Sequence, residues 1–331
     1  MHRPTMGELR TAGRRLRPTR SSLTAGPSKR LLVLAALTGL LTGVCVAGFE
    51  WVTRSTIFDW VLTLPLWAQA VIPTAGLAAT AIVLATVGRG ASAATSDEYI
   101  RNFHDRGQAL DLRPLPARIL GGVATLGTGG ALGFEGPSLY LGASIGTLLD
   151  RVRRRSGSRT DNKVLMVAGA AAGVAAIFKA PTTGAVFALE SPYRDDNARR
   201  MLLPALLAAA TGYLSAVALL GTEPLFSVEG SPPFDLRELG GAVVLGLLCC
   251  VGARVFAWLI GRAKELSTTT PAWARVLTAG GLIAALAVAS DRLFDEPLAT
   301  GSGYRTLEWV PDPGHALQSP NSPVPSQRWA P

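Results

Sequence analysis

One acidic residue stands alone in a long apolar stretch of the sequence. Between Arg118 and Asp150 the residues are almost wholly small and apolar, and Glu135 is the only charged side chain. A carboxylate at membrane depth is costly, so it usually has a function. Glu135 lies within Gly133-Phe134-Glu135-Gly136-Pro137, whose glycines and proline predict the end of one helix and the start of another. The N–H groups of residues 136–139 would then lack intrahelical partners, which predicts an anion site beside a titratable acid.

Glu135 also has a structural interpretation, in which a basic residue distant in the sequence pairs with a buried acid. Most of the glycines between residues 127 and 146 are explained by close helix–helix approach alone. Packing does not explain why an acid is placed among them.

Two further polar side chains lie beside predicted helix breaks. Ser96, followed by Asp97 and Glu98, predicts a helix start, where its hydroxyl could cap the helix, contact an anion, or do both. Lys179 lies in the break between two short apolar segments, 163–178 and 181–190. It could reach the membrane interface as a long basic side chain, or attract anions to an inner vestibule.

The remainder of the chain predicts the membrane-spanning elements that position these residues. The 331 residues are 48% hydrophobic and contain long apolar runs, which indicates a polytopic membrane protein. We expect apolar helices at 31–52, 65–87, 115–132, 201–220, 239–260 and 273–288. A further helix is expected at 137–149, and a Pro/Gly loop at 222–234.

The charge distribution divides the chain into three parts. The net charge of +9 does not indicate nucleic-acid binding, because much of it lies in the basic segment 1–29, before the first span. Such a segment stays in the cytoplasm. We therefore expect a basic cytoplasmic tail (1–29), a transmembrane domain (30–309) and a Pro-rich tail (310–331) that is disordered.

An internal repeat relates two parts of the transmembrane domain. Gly39-Leu40-Leu41 aligns with Gly246-Leu247-Leu248, and Ala94-Thr95-Ser96 aligns with Ala299-Thr300-Gly301-Ser302; Tyr99 and Tyr304 follow these last two segments. The repeat predicts a first copy at about 30–221 and a partial second copy at about 235–309. Duplicated halves with broken helices are typical of transporters. Glu135 lies 39 residues after Ser96, whereas only 29 residues follow Ser302, so the second copy is expected to be cut short.

Two correctly spaced motifs resemble those of the CLC family of chloride channels and chloride/proton antiporters. The segment Gly133–Pro137 resembles that family's Gly-Arg-Glu-Gly-Pro motif. The segment Phe178–Glu190 resembles its Phe-Asn-Ala-Pro-Leu-Ala-Gly and Phe-x-x-Glu stretch. Over about 30–309 the chain is identified as a C-terminally truncated member of this family. The resemblance implies an all-α polytopic membrane protein with broken helices in inverted repeats, the second incomplete, and a homodimer with one anion pathway per subunit.

The resemblance also implies roles for individual residues. Glu135 would be the gating glutamate, which blocks an anion position when ionised and leaves it when protonated. The residues implied to surround the chloride ion are Ser96, Gly133, Phe134, Glu135, Gly136 and Pro137. Lys179 and Glu190 would line the inner vestibule, where Glu190 has either a structural or a proton-transfer role. The implied function is that of a voltage-gated chloride channel, which moves chloride across the inner (plasma) membrane.

The sequence departs from the family pattern in four places. Phe134 replaces the usual Arg or Lys, and Ala94-Thr95-Ser96-Asp97-Glu98 replaces Gly-Ser-Gly-Ile-Pro, with Ser96 as the best candidate for the family's serine. Ser191 stands where antiporters have a second glutamate, which favours channel-like or uncoupled movement. The second-half chloride loop and the late inner tyrosine have no counterpart. An alternative is therefore a non-conducting fragment that acts, if at all, through a full-length partner.

Enzymatic chemistry has little support in the sequence. His2, His104 and His315 lie outside the predicted spans, and no catalytic Ser/His/Asp arrangement, metal-ligand spacing or phosphate-binding loop is visible. We therefore expect no enzymatic activity, cofactor, metal or nucleic-acid partner. The expected partners are chloride, membrane lipid and a second copy of the chain.

Overall fold

The computed structural model describes residues 27–105, 109–154, 163–193, 201–222 and 235–309. Within these residues all regular structure is helical, as expected. The helices are α1 (Lys29–Glu50), α2 (Asp59–Leu62), α3 (Leu66–Thr86), α4 (Thr95–His104), α5 (Leu115–Gly127), α6 (Glu135–Arg154), α7 (Val164–Phe178), α8 (Pro181–Glu190), α9 (Leu202–Leu220), α10 (Leu236–Thr269), α11 (Ala272–Phe294) and α12 (Tyr304–Trp309). The predicted tail 310–331, most of the basic tail and most of the 222–234 loop lie outside the described residues.

Five helical segments of the described chain are long and apolar enough to cross a membrane. They are Lys29–Leu62, Leu66–Thr86, Leu202–Leu220, Leu236–Thr269 and Ala272–Phe294. The prediction of an all-α polytopic membrane protein is thereby confirmed.

Several predicted helix bounds are corrected. The first span was expected to end near residue 52, but a π-helix (Trp51–Phe58) joins α1 to α2 and extends it to Leu62. The expected 115–132 span ends at Gly127, because the chain turns through Gly129 at a φ of 91°. The span expected at 239–260 is the 34-residue helix α10, which begins where Asp235 accepts hydrogen bonds from the N–H groups of Arg237 and Glu238.

The core of the first half surrounds α7. Every residue of α7 except the last is buried, and the helix packs against α1, α6, α8 and α9. Glycine allows this closeness: a Cβ atom at Gly142 of α6 would overlap the carbonyl of Gly169 in α7, and the reverse is also true. α7 ends at Phe178; its C-cap is Lys179, whose φ of 52° is left-handed, and α8 begins at Pro181.

The second half packs on the first through α11 and the loop that follows it. Gly280 of α11 faces Thr74 of α3, and the N–H of Gly301 donates to the carbonyl of Gly129 over 2.9 Å. The segment Lys29–Leu62 and α10 both have 34 residues, while α3 has 21 and α11 has 23. These matching lengths agree with the order of the predicted repeat, which stays a prediction together with the domain bounds.

Candidate functional site

Glu135 is the first residue of α6 and follows the break after α5. The turn is closed by hydrogen bonds from the N–H of Gly129 to the carbonyl of Leu126 and from the N–H of Gly130 to that of Thr125. The Glu135 carboxylate folds back over Gly133, where a Cβ atom would overlap it. Gly133 therefore provides the room that the carboxylate occupies.

The backbone donors beside Glu135 are fewer than the sequence predicted. The N–H of Ser138 donates to the carbonyl of Phe134 over 3.0 Å, and Pro137 has no N–H. By helix geometry, the first-turn amides without a helical acceptor are those of Glu135 and Gly136, rather than those of residues 136–139. The positive end of the α6 helix dipole therefore lies at these two amides.

The start of α4 lies against Gly136. A Cβ atom at Gly136 would lie 2.7 Å from the hydroxyl oxygen of Thr95 and 3.4 Å from that of Ser96. The capping interpretation of Ser96 is wrong: α4 begins at Thr95, and its N-cap is Ala94, which makes no side-chain capping bond. The structure therefore brings Ser96 to the Glu135 break as expected, and adds Thr95, which lies closer.

Arg118 of α5 fixes the position of α4. Its Nε donates to the carbonyl of Ser92 over 3.0 Å and its Nη2 contacts Glu98 over 3.3 Å, while the guanidinium lies 4.6 Å from the ring centre of Tyr140. The Arg118 side chain is only 3% exposed. It therefore holds the segment before α4 and the first turn of α4 against α5 and α6.

Glu98 of α4 is the acidic partner of Arg118. Burial raises its pKa, but hydrogen bonds from Arg101 and Asn102 and the charges of Arg101 and Arg118 lower it, so the pKa lies below its ordinary value. The Arg101 contact is 2.5 Å and the Asn102 contact is 2.7 Å. Glu98 is thus held ionised at neutral pH.

Phe134 is buried in an aromatic cluster. Its ring meets Phe49 edge-on at 5.9 Å and stacks on Tyr304 at 6.4 Å, with an interplanar angle of 8°. The guanidinium of Arg54, from the π-helix, lies 5.4 Å from the Tyr304 ring centre. The side chain of Phe134 therefore anchors the break to Tyr304 of the second half.

The hydroxyl of Tyr304 lies within electrostatic reach of two acids. Burial first, then the charges of Glu135 and Glu50, raise the pKa of Tyr304 to about 12, against the opposing charge of Arg54. A cavity of about 20 Å³, room for one water-sized particle, lies beside this ring and is also lined by Thr53, Arg54 and Phe134.

Lys179 and Glu190, which were expected to share an inner vestibule, lie at opposite ends of α8. Ten helical residues separate them by about 15 Å. The charge of Lys179 acts on Glu50 at the far end of α1, whereas Glu190 is exposed and its carbonyl accepts the N–H of Tyr193. The structure thus places the two residues at opposite ends of one helix, and their grouping in one inner vestibule stays a prediction.

Sequence reasoning missed Thr95, Arg54 and Arg118 at this site and assigned no role to Tyr304 beyond the repeat. Thr95 could have been found from its place beside Ser96, and Tyr304 from its equivalence to Tyr99. Among the described residues, no group of three or more His, Cys, Asp or Glu side chains could hold a metal ion.

The sequence and the fold both match known proteins. The chain is 29% identical to the H(+)/Cl(-) exchange transporter ClcA of Vibrio cholerae over 252 residues, which is 71% of this chain and 52% of that relative. ClcA of Salmonella arizonae is 30% identical over 256 residues, with the same coverage. This chain therefore spans about half the length of these relatives.

Two crystal structures have the same fold. A slow cyanobacterial Cl-/H+ antiporter aligns with a TM-score of 0.70 and 23% identity, over 86% of this chain and 68% of its own. A CLC-type fluoride/proton antiporter aligns with a TM-score of 0.66 and 24% identity, over 86% and 69%. At this identity the likeness concerns the fold alone.

The membrane location follows from the five apolar spans and from the relatives: this chain is a multi-pass protein of the inner (plasma) membrane. A family profile described as "Voltage gated chloride channel" matches residues 76–320. Because that match covers well over half of the sequence, the chain belongs to the voltage-gated chloride channel family, the CLC family that its motifs indicated.

Proposed function

We propose that this chain moves chloride passively across the inner membrane and that protonation of Glu135 opens the pathway. The observation that carries the proposal is the position of Glu135. It begins α6 at a break in the bundle, beside the amide of Gly136, and the hydroxyls of Thr95 and Ser96 lie against the same glycine. Backbone and hydroxyl donors thus meet at a single titratable acid.

The chemistry of the gate is competition between two anions. An ionised Glu135 carboxylate and a chloride ion both accept hydrogen bonds, so they compete for the amides of Glu135 and Gly136 and for the nearby hydroxyls. Protonation removes the charge of the carboxyl group, which then gives up these donors to chloride. Gly133 leaves room for the carboxyl to move, and Pro137 fixes the start of the helix.

Passive movement is favoured over coupled exchange by the residues at the other end of α8. Ser191 follows Glu190, and its hydroxyl donates to the carbonyl of Phe187 over 2.5 Å, so it offers no second carboxylate there. The relatives are named as H(+)/Cl(-) exchange transporters. The test of passive chloride movement must therefore distinguish it from coupled exchange of chloride and protons.

The proposed partners are chloride, membrane lipid and a second copy of this chain. Lys179 is proposed to attract anions at its own end of α8, apart from Glu190. The proposal involves ion movement, with no chemical reaction, metal or cofactor.

A second candidate is a non-conducting subunit that acts by association with a full-length relative. It is favoured by α10, a 34-residue helix in which none of the residues is buried in the described structure.

Chloride efflux from liposomes separates these candidates. The purified 331-residue chain would be compared with empty liposomes at pH 7 and pH 4.5, with Glu265→Gln as a control because Glu265 is an exposed acid of α10. We expect efflux above the empty control that rises at pH 4.5. Efflux through Glu135→Gln, which mimics the protonated gate, should be several-fold faster than through wild type at pH 7 and insensitive to pH, whereas efflux through Glu265→Gln should resemble that of wild type.

Two results would contradict the gate. Unchanged pH dependence in Glu135→Gln removes Glu135 from the mechanism. No efflux from folded, inserted protein supports the second candidate, which then requires co-purification with a full-length relative. Proton movement that accompanies chloride at a fixed ratio would replace passive movement by exchange.

A further inference from the structure

We propose that the cleft between the end of α3 and the start of α5 binds the phosphate group of an anionic phospholipid from the cytoplasmic leaflet. The cleft has a volume of about 510 Å³ and is lined by Val87, Gly88, Arg89 and Arg113. Two of these four residues are arginines, which makes the cleft basic. The inference concerns lipid binding and does not depend on how chloride moves.

The backbone that carries Arg89 has an unusual conformation. α3 ends at Thr86, and Arg89 has a φ of 52°, a left-handed conformation that glycine most often supplies after the end of a helix. The turn is closed by a hydrogen bond from the N–H of Gly90 to the carbonyl of Leu84 over 2.9 Å. An arginine in this conformation costs backbone energy that glycine would avoid, which indicates that its side chain has a role.

The start of α5 brings Arg113 to the same cleft. A Cβ atom at Gly88 would lie 3.1 Å from that of Ala117, so the chain after α3 packs closely on the first turn of α5. Arg113 lies two residues before α5, and its N–H donates to the carboxylate of Asp111 over 3.1 Å. The backbones that carry the two arginines are therefore both held in place beside the cleft.

Both guanidinium groups can reach an external ligand. Arg89 and Arg113 are exposed, and neither side chain makes an ion pair or a hydrogen bond with any residue that the structure describes. A guanidinium group is planar and donates paired hydrogen bonds whose geometry matches the oxygens of a phosphate. Two such groups at one cleft favour a phosphate over an anion without several oxygens.

The apolar surface near the cleft suits the acyl chains of a lipid. Ile82 of α3 and Leu120 of α5 are 63% and 53% exposed, and each lies about two helical turns from the arginine at the end of its helix. Val87, which lines the cleft itself, is 53% exposed. A ligand that carries both a phosphate and acyl chains therefore fits this place better than a soluble phosphate does.

The order of the spans gives the side of the membrane. The basic segment 1–29 is expected in the cytoplasm, and Lys29–Leu62 and Leu66–Thr86 are the first two segments that can cross. Two crossings return the chain to the cytoplasmic face, where α3 ends. Basic pockets between membrane helices on this face bind anionic headgroups, because the cytoplasmic leaflet carries negatively charged lipids.

The test is binding of short-chain phosphatidylglycerol to the full chain in non-ionic detergent, measured by isothermal titration calorimetry. Phosphatidylcholine with the same acyl chains lacks the net negative charge, and inorganic phosphate lacks the acyl chains. The double variant Arg89→Gln/Arg113→Gln removes both guanidinium groups. The matched control is Arg262→Gln/Arg275→Gln, which removes two exposed arginines of the second half. Thermal unfolding without lipid verifies that each variant is folded.

We expect wild type to bind phosphatidylglycerol more tightly than phosphatidylcholine or inorganic phosphate, and less tightly as the salt concentration rises. Each basic side chain at an anionic membrane surface contributes about fivefold in affinity, so Arg89→Gln/Arg113→Gln should bind phosphatidylglycerol about 30-fold more weakly. Arg113→Gln alone leaves the turn at Arg89 unchanged and should lose about fivefold. The control double variant should bind as wild type does.

Equal weakening in the two double variants overturns the inference, because it indicates diffuse attraction to any basic surface. Equal affinity for phosphatidylglycerol and phosphatidylcholine overturns it as well. If inorganic phosphate binds as tightly as phosphatidylglycerol, the cleft is a site for a soluble anion, and the lipid assignment is wrong. Undiminished phosphatidylglycerol binding in Arg113→Gln removes Arg113 from the site and contradicts the two-arginine arrangement.

Discussion

Helices α7 and α10 show two opposite ways in which an apolar helix is accommodated. α7 has 15 residues and buries all but the last, whereas α10 has 34 residues and buries none in the described chain. Both contain glycines, but those of α7 meet backbone: Gly169 faces Gly142, and Gly173 faces the carbonyl of Ser138. The glycines of α10, such as Gly246, have no heavy atom of the described residues within 4 Å of an added Cβ.

The difference shows which property determines packing in this chain. In lipid, apolar composition does not drive helices together, and close contact depends on small residues that face each other. α10 satisfies its backbone hydrogen bonds internally, so it can cross the membrane without protein neighbours. The first half therefore owes its stability to interlocked backbones, whereas none of the residues of α10 is buried in the described chain.

Substitution of glycine by alanine should separate the two helices most strongly. Gly142→Ala places a methyl group against the carbonyl of Gly169, so it should lower the free energy of unfolding by about 3 kcal/mol or more. The methyl group added in Gly246→Ala contacts no atom of the described residues, and alanine is a better helix former than glycine. This substitution should therefore raise the free energy of unfolding by up to about 1 kcal/mol. Thermal unfolding in detergent, followed by circular dichroism, measures both.

Equal losses in the two alanine variants would show that α10 is packed as tightly as α7. The comparison would then be wrong, and the exposure of α10 would no longer support the second candidate function.

The ion pair of Arg118 in the first half and that of Arg262 in the second half should differ in how much they stabilise the fold. Arg118→Leu leaves Glu98 half-buried without its α5 partner, and should cost about 2 to 3 kcal/mol. It should also loosen the start of α4 and weaken chloride binding, measured by isothermal titration calorimetry. Arg262→Leu is the control, because Arg262 contacts Glu265 on the exposed surface of α10. If Arg118→Leu has the same free energy of unfolding as wild type, then Arg118 does not hold α4 in place at the site.

The breaks in the fold could be read from the sequence, because they depend on local chemistry. Gly133, Gly136 and Pro137 located the start of α6 to within two residues, and Pro181 located that of α8. The π-helix (Trp51–Phe58) has no comparable sequence signature, so the sequence predicts a first span that is too short.

The contacts that complete the site could not be read in the same way. Phe134 and Tyr304 lie 170 residues apart, and their stacking depends on how the two halves pack. Whether Thr95 or Ser96 lies closer to Gly136 depends on the rotation of α4 about its axis. The separation of Lys179 from Glu190 was accessible in principle, because a ten-residue helix between them fixes their distance.

Acid should affect the first half through Glu98. Its lowered pKa means that its contribution to stability is fully present above the ordinary carboxyl pKa and is lost as the pH falls through the lower folded-state value. Glu98→Gln lacks this contribution, so the difference in unfolding temperature between wild type and variant should narrow from pH 6 to pH 3. Glu265→Gln, on exposed α10, should show no such narrowing. A constant difference for Glu98→Gln would contradict the ion-pair assignment.

The smallest effect is expected where α10 touches the first half through exposed charges. Lys264 contacts Asp97 of α4 at 3.1 Å, but the two side chains are 67% and 60% exposed. Water and salt screen such a pair, so Lys264→Ala should change the free energy of unfolding by no more than about 0.5 kcal/mol, and less at high salt. The comparison with Arg118→Leu is made in the same detergent. If Lys264→Ala costs as much as Arg118→Leu, then α10 is anchored to the bundle as firmly as α7, and the exposed face of α10 cannot be attributed to weak tertiary contact.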